Sequence, residues 1–160
     1  IDISYIFAVD GVKYLCAIKD MYDKSIIAYT ISRFIDLTLV MDTVKKAVEN
    51  VPLRQRKNLI LHSDQGWHFT HIEYQMFLKE NDIIQSISAR GSSVDNVPIE
   101  SFFSTLKSEC IHLIKDLRVN DIDETIDKFI EYYNNERLQE KIKELTPLEF
   151  RELTLNSVFF

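Results

Sequence analysis

The first third of the chain alternates hydrophobic and polar residues, a pattern typical of strands with one buried face. The alternation predicts strands over residues 2–9, 12–20 and 25–33. Asp10 and Gly11 lie between the first two strands and form a dipeptide that is typical of tight hairpin turns. Because the connections are short, we expect the three strands to form an antiparallel meander.

After these strands the pattern changes to helical spacing, interrupted by two short apolar runs. The predicted helices cover residues 36–50, 72–81, 98–115 and 121–137, with a short last helix from Thr146, and the predicted strands cover 59–64 and 83–88. Asp36 is the expected N-cap of the first helix, and residues 89–97, which show no periodicity, are an expected loop. Three antiparallel strands followed by alternating helices and strands favour an α/β fold of the ribonuclease H-like class. That fold would have a mixed five-stranded sheet with helices on both faces.

Composition limits the function classes. The chain has 160 residues, of which 46% are hydrophobic, enough for one domain with a sizeable core. No apolar run approaches the ~20 residues of a membrane span, so we expect no membrane partner. The net charge of −6 argues against a simple nucleic-acid-binding domain, since such domains usually carry a basic surplus. A carboxylate cluster that holds metal ions would, however, add negative charge of its own.

Three carboxylates occupy positions where an α/β sheet places its chemistry. Asp64 ends a predicted buried strand, Glu100 lies in the first turn of a predicted helix, and Asp2 lies on the first strand. Each also has an ordinary structural explanation: Asp64 as a turn residue, Glu100 as a favourable charge at a helix N-terminus, and Asp2 as a residue at the start of a strand. If the first strand is central and the helix returns to the same edge, the three converge. They would then suit two divalent ions ~4 Å apart, and oxygen ligands favour Mg²⁺ or Mn²⁺.

Asp10 and Asp20 are the alternatives to Asp2 as the first carboxylate. Asp10 shares the strand parity of Asp2 but precedes Gly11, as in a turn, and Asp20 ends the second predicted strand. We therefore prefer Asp2. Since only one residue precedes it, Asp2 is expected to be loosely held, because chain ends fray unless pairing fixes them.

Three segments resemble a known family. They are HSDQGW at 62–67, SVDNVPIESFFSTLKSE at 93–109 and YYNNERLQEKIKELTPLEFR at 132–151. They resemble the catalytic core of bacterial insertion-sequence transposases of the insertion-sequence-three family, which are related to retroviral integrases. Thirty-five residues separate Asp64 from Glu100, which is the family's spacing. The opening segment IDISYI resembles the strand that carries the first family Asp.

The resemblance implies that Asp2, Asp64 and Glu100 are the catalytic residues and together hold two Mg²⁺ or Mn²⁺ ions. It implies DNA cleavage and strand transfer in transposition, with transposon ends and target DNA as partners, a homo-oligomer in the active complex and a bacterial cytoplasmic location. One core domain would span residues 1–160, without the family's upstream helix-turn-helix region. Residues 91–93, Gly-Ser-Ser, depart from the family's usual Gly-Asn-Cys loop.

Candidates for DNA contacts lie around the predicted Glu100 helix. Lys107 follows Glu100 by two helical turns on the same face, where a cation can hold a DNA phosphate. A solvated lysine is the alternative. Asn96, one turn before Glu100, and Arg90, in the expected loop, are further candidates.

Other side chains near the motifs have structural alternatives. His62 shares a strand face with Asp64 and is a candidate for lining the site, although a hydrogen-bonded structural histidine is the more common case. Trp67, Phe102 and Phe103 are expected in the core rather than as base-stacking platforms.

Two other functions stay open from sequence alone. A ribonuclease H-like nuclease that only hydrolyses would share the metal site, and a strand-transfer assay with pre-cut ends would distinguish it. A non-catalytic DNA-binding or assembly remnant would need no metal, but the presence of Asp64 and Glu100 argues against it.

Overall fold

A computed structural model of the chain describes residues 1–49, 51, 56–89 and 96–157. The strands are β1 (Asp2–Ala8), β2 (Gly11–Lys19), β3 (Ile26–Ser32), β4 (Ile60–Ser63) and β5 (Ile84–Ile87). The helices are α1 (Leu37–Glu49), α2 (Trp67–Thr70), α3 (Ile72–Glu80), α4 (Val97–Glu109), α5 (Ile122–Asn135) and α6 (Pro147–Ser157). Arg90 and residues 91–95 of the expected loop lie outside the described residues.

The first three strands form the predicted antiparallel meander in the order β1-β2-β3, and β4 pairs with β5 in parallel. The N-terminal nitrogen of Ile1 donates a hydrogen bond to the His62 carbonyl, 2.8 Å away, and so places β1 beside β4. The next outward-facing amide of β1, that of Ile3, donates instead to Asp2 Oδ1 at 2.7 Å. The predicted five-stranded sheet is therefore present as a three-stranded piece and a two-stranded piece, which meet at Ile1. The hydrogen bonds between β1 and β4 do not continue to Ile3, because the Asp2 carboxylate accepts the Ile3 amide.

Helices cover both faces of this sheet, as predicted. Leu15 and Ala17 of β2 point to one face, where they belong to a core with residues of α4 and α5. Cys16 and Ile18 point to the other face, into a core with residues of α1 and α3. The α/β fold with both faces covered is thus confirmed.

Local signals fix several element ends. Asp36 caps α1, since its Oδ1 accepts a hydrogen bond from the Leu39 amide at 3.1 Å. The helix predicted over 98–115 ends earlier, at Glu109, because Cys110 leaves the helical region with φ −133° and ψ −71°. Ile111 then turns into the core, where it is 6% exposed. Helix α2 was not predicted.

Asp2 is held more firmly than expected. It pairs with Ala17 in the β1–β2 ladder, and Ile1 before it is buried and hydrogen-bonded to β4. The expectation of a loose Asp2 is therefore wrong, because the sheet and the core fix the first residue. In the described part of the chain, no helix combines the length and apolarity that crossing a bilayer requires.

Candidate catalytic site

Asp2 lies on β1, half-buried, with its Oδ1 accepting the Ile3 amide. The pKa of this carboxyl is raised to about 6, chiefly by burial; the hydrogen bond from Ile3 and the terminal amine lower it, and the negative charges of Asp64 and Glu100 raise it. An electrostatic effect of both carboxylates on Asp2 requires that both lie nearby. Asp64 and Glu100 thus lie within electrostatic range of Asp2.

Asp64 directly follows β4 and is exposed. Its Oδ1 accepts a hydrogen bond from the Gly66 amide at 2.8 Å, which closes a tight turn after the strand. A Cβ on Gly66 would lie 3.0 Å from that oxygen and 3.3 Å from Phe69, so a glycine leaves the room that this turn needs. The turn fixes one carboxylate oxygen and leaves the exposed side chain accessible at the sheet edge.

Glu100 lies in the first turn of α4 and is exposed, while Ile99 beside it is buried. The start of this helix is fixed by Lys19 of β2, whose Nζ donates to the Pro98 carbonyl at 3.1 Å and to the Tyr133 hydroxyl at 2.9 Å. Lys19 therefore connects β2, α4 and α5 at the end of the helix that carries Glu100.

The two alternative carboxylates, Asp10 and Asp20, each accept a hydrogen bond from a backbone amide. Asp10 lies in the turn beyond the end of β1, and the six steps from Asp2 to Ala8 alone span about 20 Å at the usual strand rise. Its Oδ1 accepts the Val119 amide at 2.8 Å. Asp20 Oδ1 accepts the Tyr22 amide at 2.7 Å within the turn after β2. Asp20 therefore stabilises its own turn, whereas Asp10 joins the hairpin turn to the segment that precedes α5.

His62 has the structural role. Its Nδ1 lies 2.8 Å from the Ser86 hydroxyl and its Nε2 lies 2.9 Å from the Ser88 hydroxyl. Both ring nitrogens therefore contact serines, one on β5 and one just after β5, and so join β4 to that segment. A hydrogen-bonded structural histidine is one of the two interpretations that the sequence left open.

The candidates for DNA contacts have different surroundings. Lys107 is half-buried on α4, about 10 Å along the helix axis from Glu100. Within the described part of the chain, Lys107 makes no ion pair or hydrogen bond. Asn96 is 7% exposed at the start of α4, and within the described residues its side chain makes no capping hydrogen bond to the helix. Arg90 lies outside the described residues.

Sequence reasoning missed two side chains at this site. Lys19 is half-buried, and nothing in the sequence indicated this, because a strand that ends on a polar residue usually exposes that residue. Trp67 was expected in the core, yet it is 55% exposed, whereas Phe102 and Phe103 are buried as expected. Trp67 opens α2 three residues after Asp64, and the sequence signal that was available is this closeness to the motif Asp.

Asp2, Asp64 and Glu100 offer carboxylate oxygens, which are the ligands that hard divalent ions prefer. A bound cation would also relieve the repulsion between their negative charges. Among the described residues, no three His, Cys, Asp or Glu side chains form a group already arranged to hold a metal ion. Asp64 and Glu100 are both exposed, so their side chains can reorient.

Comparison with known proteins points to one family. The integrase core domain matches residues 1–93, and a second integrase core domain description matches residues 100–155. InsK of insertion sequence element IS150 from Escherichia coli, a proposed transposase, is 38% identical over 149 residues, 92% of this chain and 52% of that protein. The transposase InsF of insertion sequence IS3A from Escherichia coli is 30% identical over 155 residues, 96% of this chain and 53% of that protein. The chain thus spans about half the length of these curated relatives.

A solved structure shares the fold. The HTLV-2 integrase catalytic core domain in complex with magnesium, in its dimeric form, matches with a TM-score of 0.72 and 14% identity. The match covers 93% of this chain and 91% of that one. The likeness supports the ribonuclease H-like fold class.

Proposed function

Since the chain belongs to the integrase core domain family, we propose that it is the catalytic core of a bacterial insertion-sequence transposase, which cuts DNA and transfers strands. The observation that carries this proposal is the match of the integrase core domain to residues 1–93 and 100–155, the ranges that contain Asp2, Asp64 and Glu100. The electrostatic effect of Asp64 and Glu100 on Asp2 supports it, because carboxylates within range of one another cost stability unless the site has a use for their charge.

In this proposal Asp2, Asp64 and Glu100 are the catalytic residues and the ligands of Mg²⁺ or Mn²⁺. When bound, two such ions would supply positive charge at the scissile phosphodiester and activate the attacking oxygen. Asp2 would be the fixed member of the set, because β1 pairing holds its backbone. Asp64 and Glu100, being exposed, would adjust to the bound cations.

The reaction needs no covalent link between protein and DNA. In the first step, water attacks a phosphodiester, the bond to the 3′ oxygen breaks, and a free 3′ hydroxyl remains on the donor strand. In the second step, that hydroxyl attacks a phosphodiester of the target, one P–O bond forms and one breaks. The chain's contribution is to orient the strands and to exclude unproductive positions.

The acidic surface requires local cations for DNA. With a net charge of −6, the chain as a whole repels phosphate, so contacts must come from particular side chains. Lys107, two turns along α4 from Glu100, is the described candidate, and Arg90 stays a proposed contact from sequence. Asn96, at the start of α4, stays a proposed DNA contact as well. We expect DNA and a second copy of the chain as partners in the active complex.

The test is a cleavage and strand-transfer assay on oligonucleotides with transposon-end sequences, carried out with Mg²⁺ or Mn²⁺. We expect Asp64→Asn and Glu100→Gln to lose both activities while their circular dichroism spectra stay unchanged. Asp10→Asn is the matched control, because it removes a carboxylate that lies beyond the opposite end of β1 from Asp2 and its amide oxygen can still accept the Val119 hydrogen bond. Substantial metal-dependent activity in Asp64→Asn would overturn the catalytic assignment.

The same assay separates the alternatives. A protein that cleaves but does not join pre-cut ends to target DNA is a hydrolytic nuclease. A protein without either activity, and without Asp64-dependent heat in a calorimetric Mg²⁺ titration, is a non-catalytic remnant.

A further inference from the structure

Trp67 presents most of a large aromatic ring to solvent beside the candidate catalytic site. It is the single tryptophan of the chain and is 55% exposed. The next two residues of α2, His68 and Phe69, are buried, with exposed fractions of 6% and 2%. The short helix thus buries its second and third residues and leaves its first outside. A core role, which the sequence suggested, does not account for this position.

The ring is held in place despite its exposure. It packs against the His68 imidazole with the ring centroids 3.9 Å apart and the planes 30° apart, and it meets the His71 ring edge-on at 6.4 Å. The Thr70 hydroxyl donates to the Trp67 carbonyl at 3.2 Å, and the Phe69 amide donates to the Gly66 carbonyl at 3.0 Å. A ring that its neighbours already orient loses little freedom when a second flat group stacks on it.

Trp67 is also fixed relative to Asp64. Trp67 is three positions after Asp64, so their Cα atoms lie within about 11 Å even if the chain were fully extended. The turn between them is closed by the hydrogen bond from the Gly66 amide to Asp64 Oδ1. A base next to a phosphodiester held at Asp64 would therefore be within reach of the indole.

We propose that Trp67 is a stacking platform for an unpaired nucleobase next to the phosphodiester bound at Asp64. This inference rests on the proposed function, because it takes DNA as the ligand. Bases inside a duplex are already stacked on both faces, so the platform favours bases at strand ends, in overhangs or flipped out of the helix. It would hold a strand end in register without reading its sequence, since every base has a π-face.

The experiment uses the intrinsic fluorescence of the protein, to which Trp67 is the sole indole contributor. The chain is titrated in EDTA, so that no cleavage occurs, with a blunt duplex and with the same duplex carrying a three-nucleotide overhang. Binding is followed in parallel by the anisotropy of a fluorescein label on the DNA. We expect the overhang duplex to quench the indole more strongly than the blunt duplex at equal saturation.

Variants test whether the ring contributes affinity. Trp67→Ala should weaken binding of the overhang duplex by between about 5-fold and 150-fold and leave the blunt duplex nearly unchanged. Trp67→Phe should keep most of the preference. Phe34→Ala is the control, because Phe34 is 71% exposed and follows β3 at the end where Ser32 pairs with Tyr14, away from Asp2.

Three outcomes would overturn the proposal. The first is unchanged indole fluorescence when anisotropy shows saturation with the overhang duplex. The second is an equal loss of both duplexes in Trp67→Ala. The third is quenching that depends on protein concentration without DNA, which would show that a second copy covers the ring. None of these depends on catalysis, so a failure of the proposed function, seen as an active Asp64→Asn, stays distinguishable.

Discussion

The two ends of the β1–β2 hairpin carry the same types of charged residue but in different surroundings. At the turn end, Asp10 accepts the Val119 amide and lies 3.9 Å from Arg118, and Lys13 lies 2.6 Å from Asp123. Both charges there have an opposite charge beside them.

At the site end, the corresponding groups have no such partners. Among the described residues no side-chain cation pairs with Asp2, and burial, together with Asp64 and Glu100, raises its pKa to about 6. Lys19 donates to a carbonyl and a hydroxyl, both neutral, and burial, together with nearby cations, lowers its pKa to about 8.

This contrast supports the proposed function. The paired charges at the turn end stabilise the fold, whereas the charges at the site end would be neutralised by a bound partner. Lys13 and Lys19 both point from β2 toward α5, six residues apart, so they connect the same two elements. Only the site end keeps uncompensated charge of both signs, which suits cations on one side and phosphates on the other. Four predictions test this contrast.

The largest effect is expected from the two aspartates. Asp2→Asn should lower cleavage of transposon-end DNA by at least about 100-fold, because it removes a proposed catalytic ligand from the site. Asp10→Asn should stay within about 2-fold of the parent, since its amide oxygen can keep the Val119 hydrogen bond. Initial rates at saturating Mg²⁺ measure both. Equal losses in the two variants would break the contrast.

The two lysines should divide activity from stability. Lys19→Met leaves the Pro98 carbonyl and Tyr133 hydroxyl without a donor, so the start of the Glu100 helix is less fixed and activity should fall about 10-fold. The Mg²⁺ concentration for half-maximal rate should rise with it. Lys13→Met should keep the rate and lose about 1–2 kcal/mol of unfolding free energy, because its partner Asp123 is half exposed.

Cleavage rates and urea unfolding curves for Lys19→Met and Lys13→Met test whether the first affects activity and the second affects stability. A Lys13→Met enzyme as impaired as Lys19→Met would mean that both lysines act only by joining β2 to α5.

The pH dependence of stability should show the charge of Asp2. Because its folded-state pKa is raised from 3.8 to about 6, folding is favoured by protonated Asp2, and that contribution is lost as the pH rises through about 6. In EDTA, Asp2→Asn should therefore gain about 1–2 kcal/mol over the parent at pH 7 and much less at pH 4. Urea unfolding at both pH values measures the difference. A gain that is the same at pH 4 and pH 7 would contradict it.

The smallest effect is expected at the turn end. Arg118 lies 3.9 Å from Asp10 and its side chain is 61% exposed, so Arg118→Ala should change the unfolding free energy by less than about 0.5 kcal/mol. Thermal unfolding at low and at high salt measures this effect. A loss above 1 kcal/mol would show that the exposed pair contributes more than the backbone hydrogen bond from Val119 to Asp10.

Much of the fold was predictable because its signals are local. The hairpin at Asp10 and Gly11 and the Asp36 cap depend on neighbouring residues, and the alternation of β1 and β2 reflects which face is buried. The early end of α4 was not predictable, since it depends on Ile111 finding a place in a core built by distant elements.

For the candidate site, the sequence by itself determined the family, the proposal of Asp64 and Glu100 as catalytic residues from their motifs and spacing, and the preference for Asp2 as the third. Only the tertiary structure decided how each side chain is surrounded. It gave His62 two serine partners, buried Lys19 between α4 and α5, and left Trp67 outside the core. The physical reason is that residue type and spacing are local properties, whereas burial, pKa and hydrogen-bond partners depend on residues far apart in the chain.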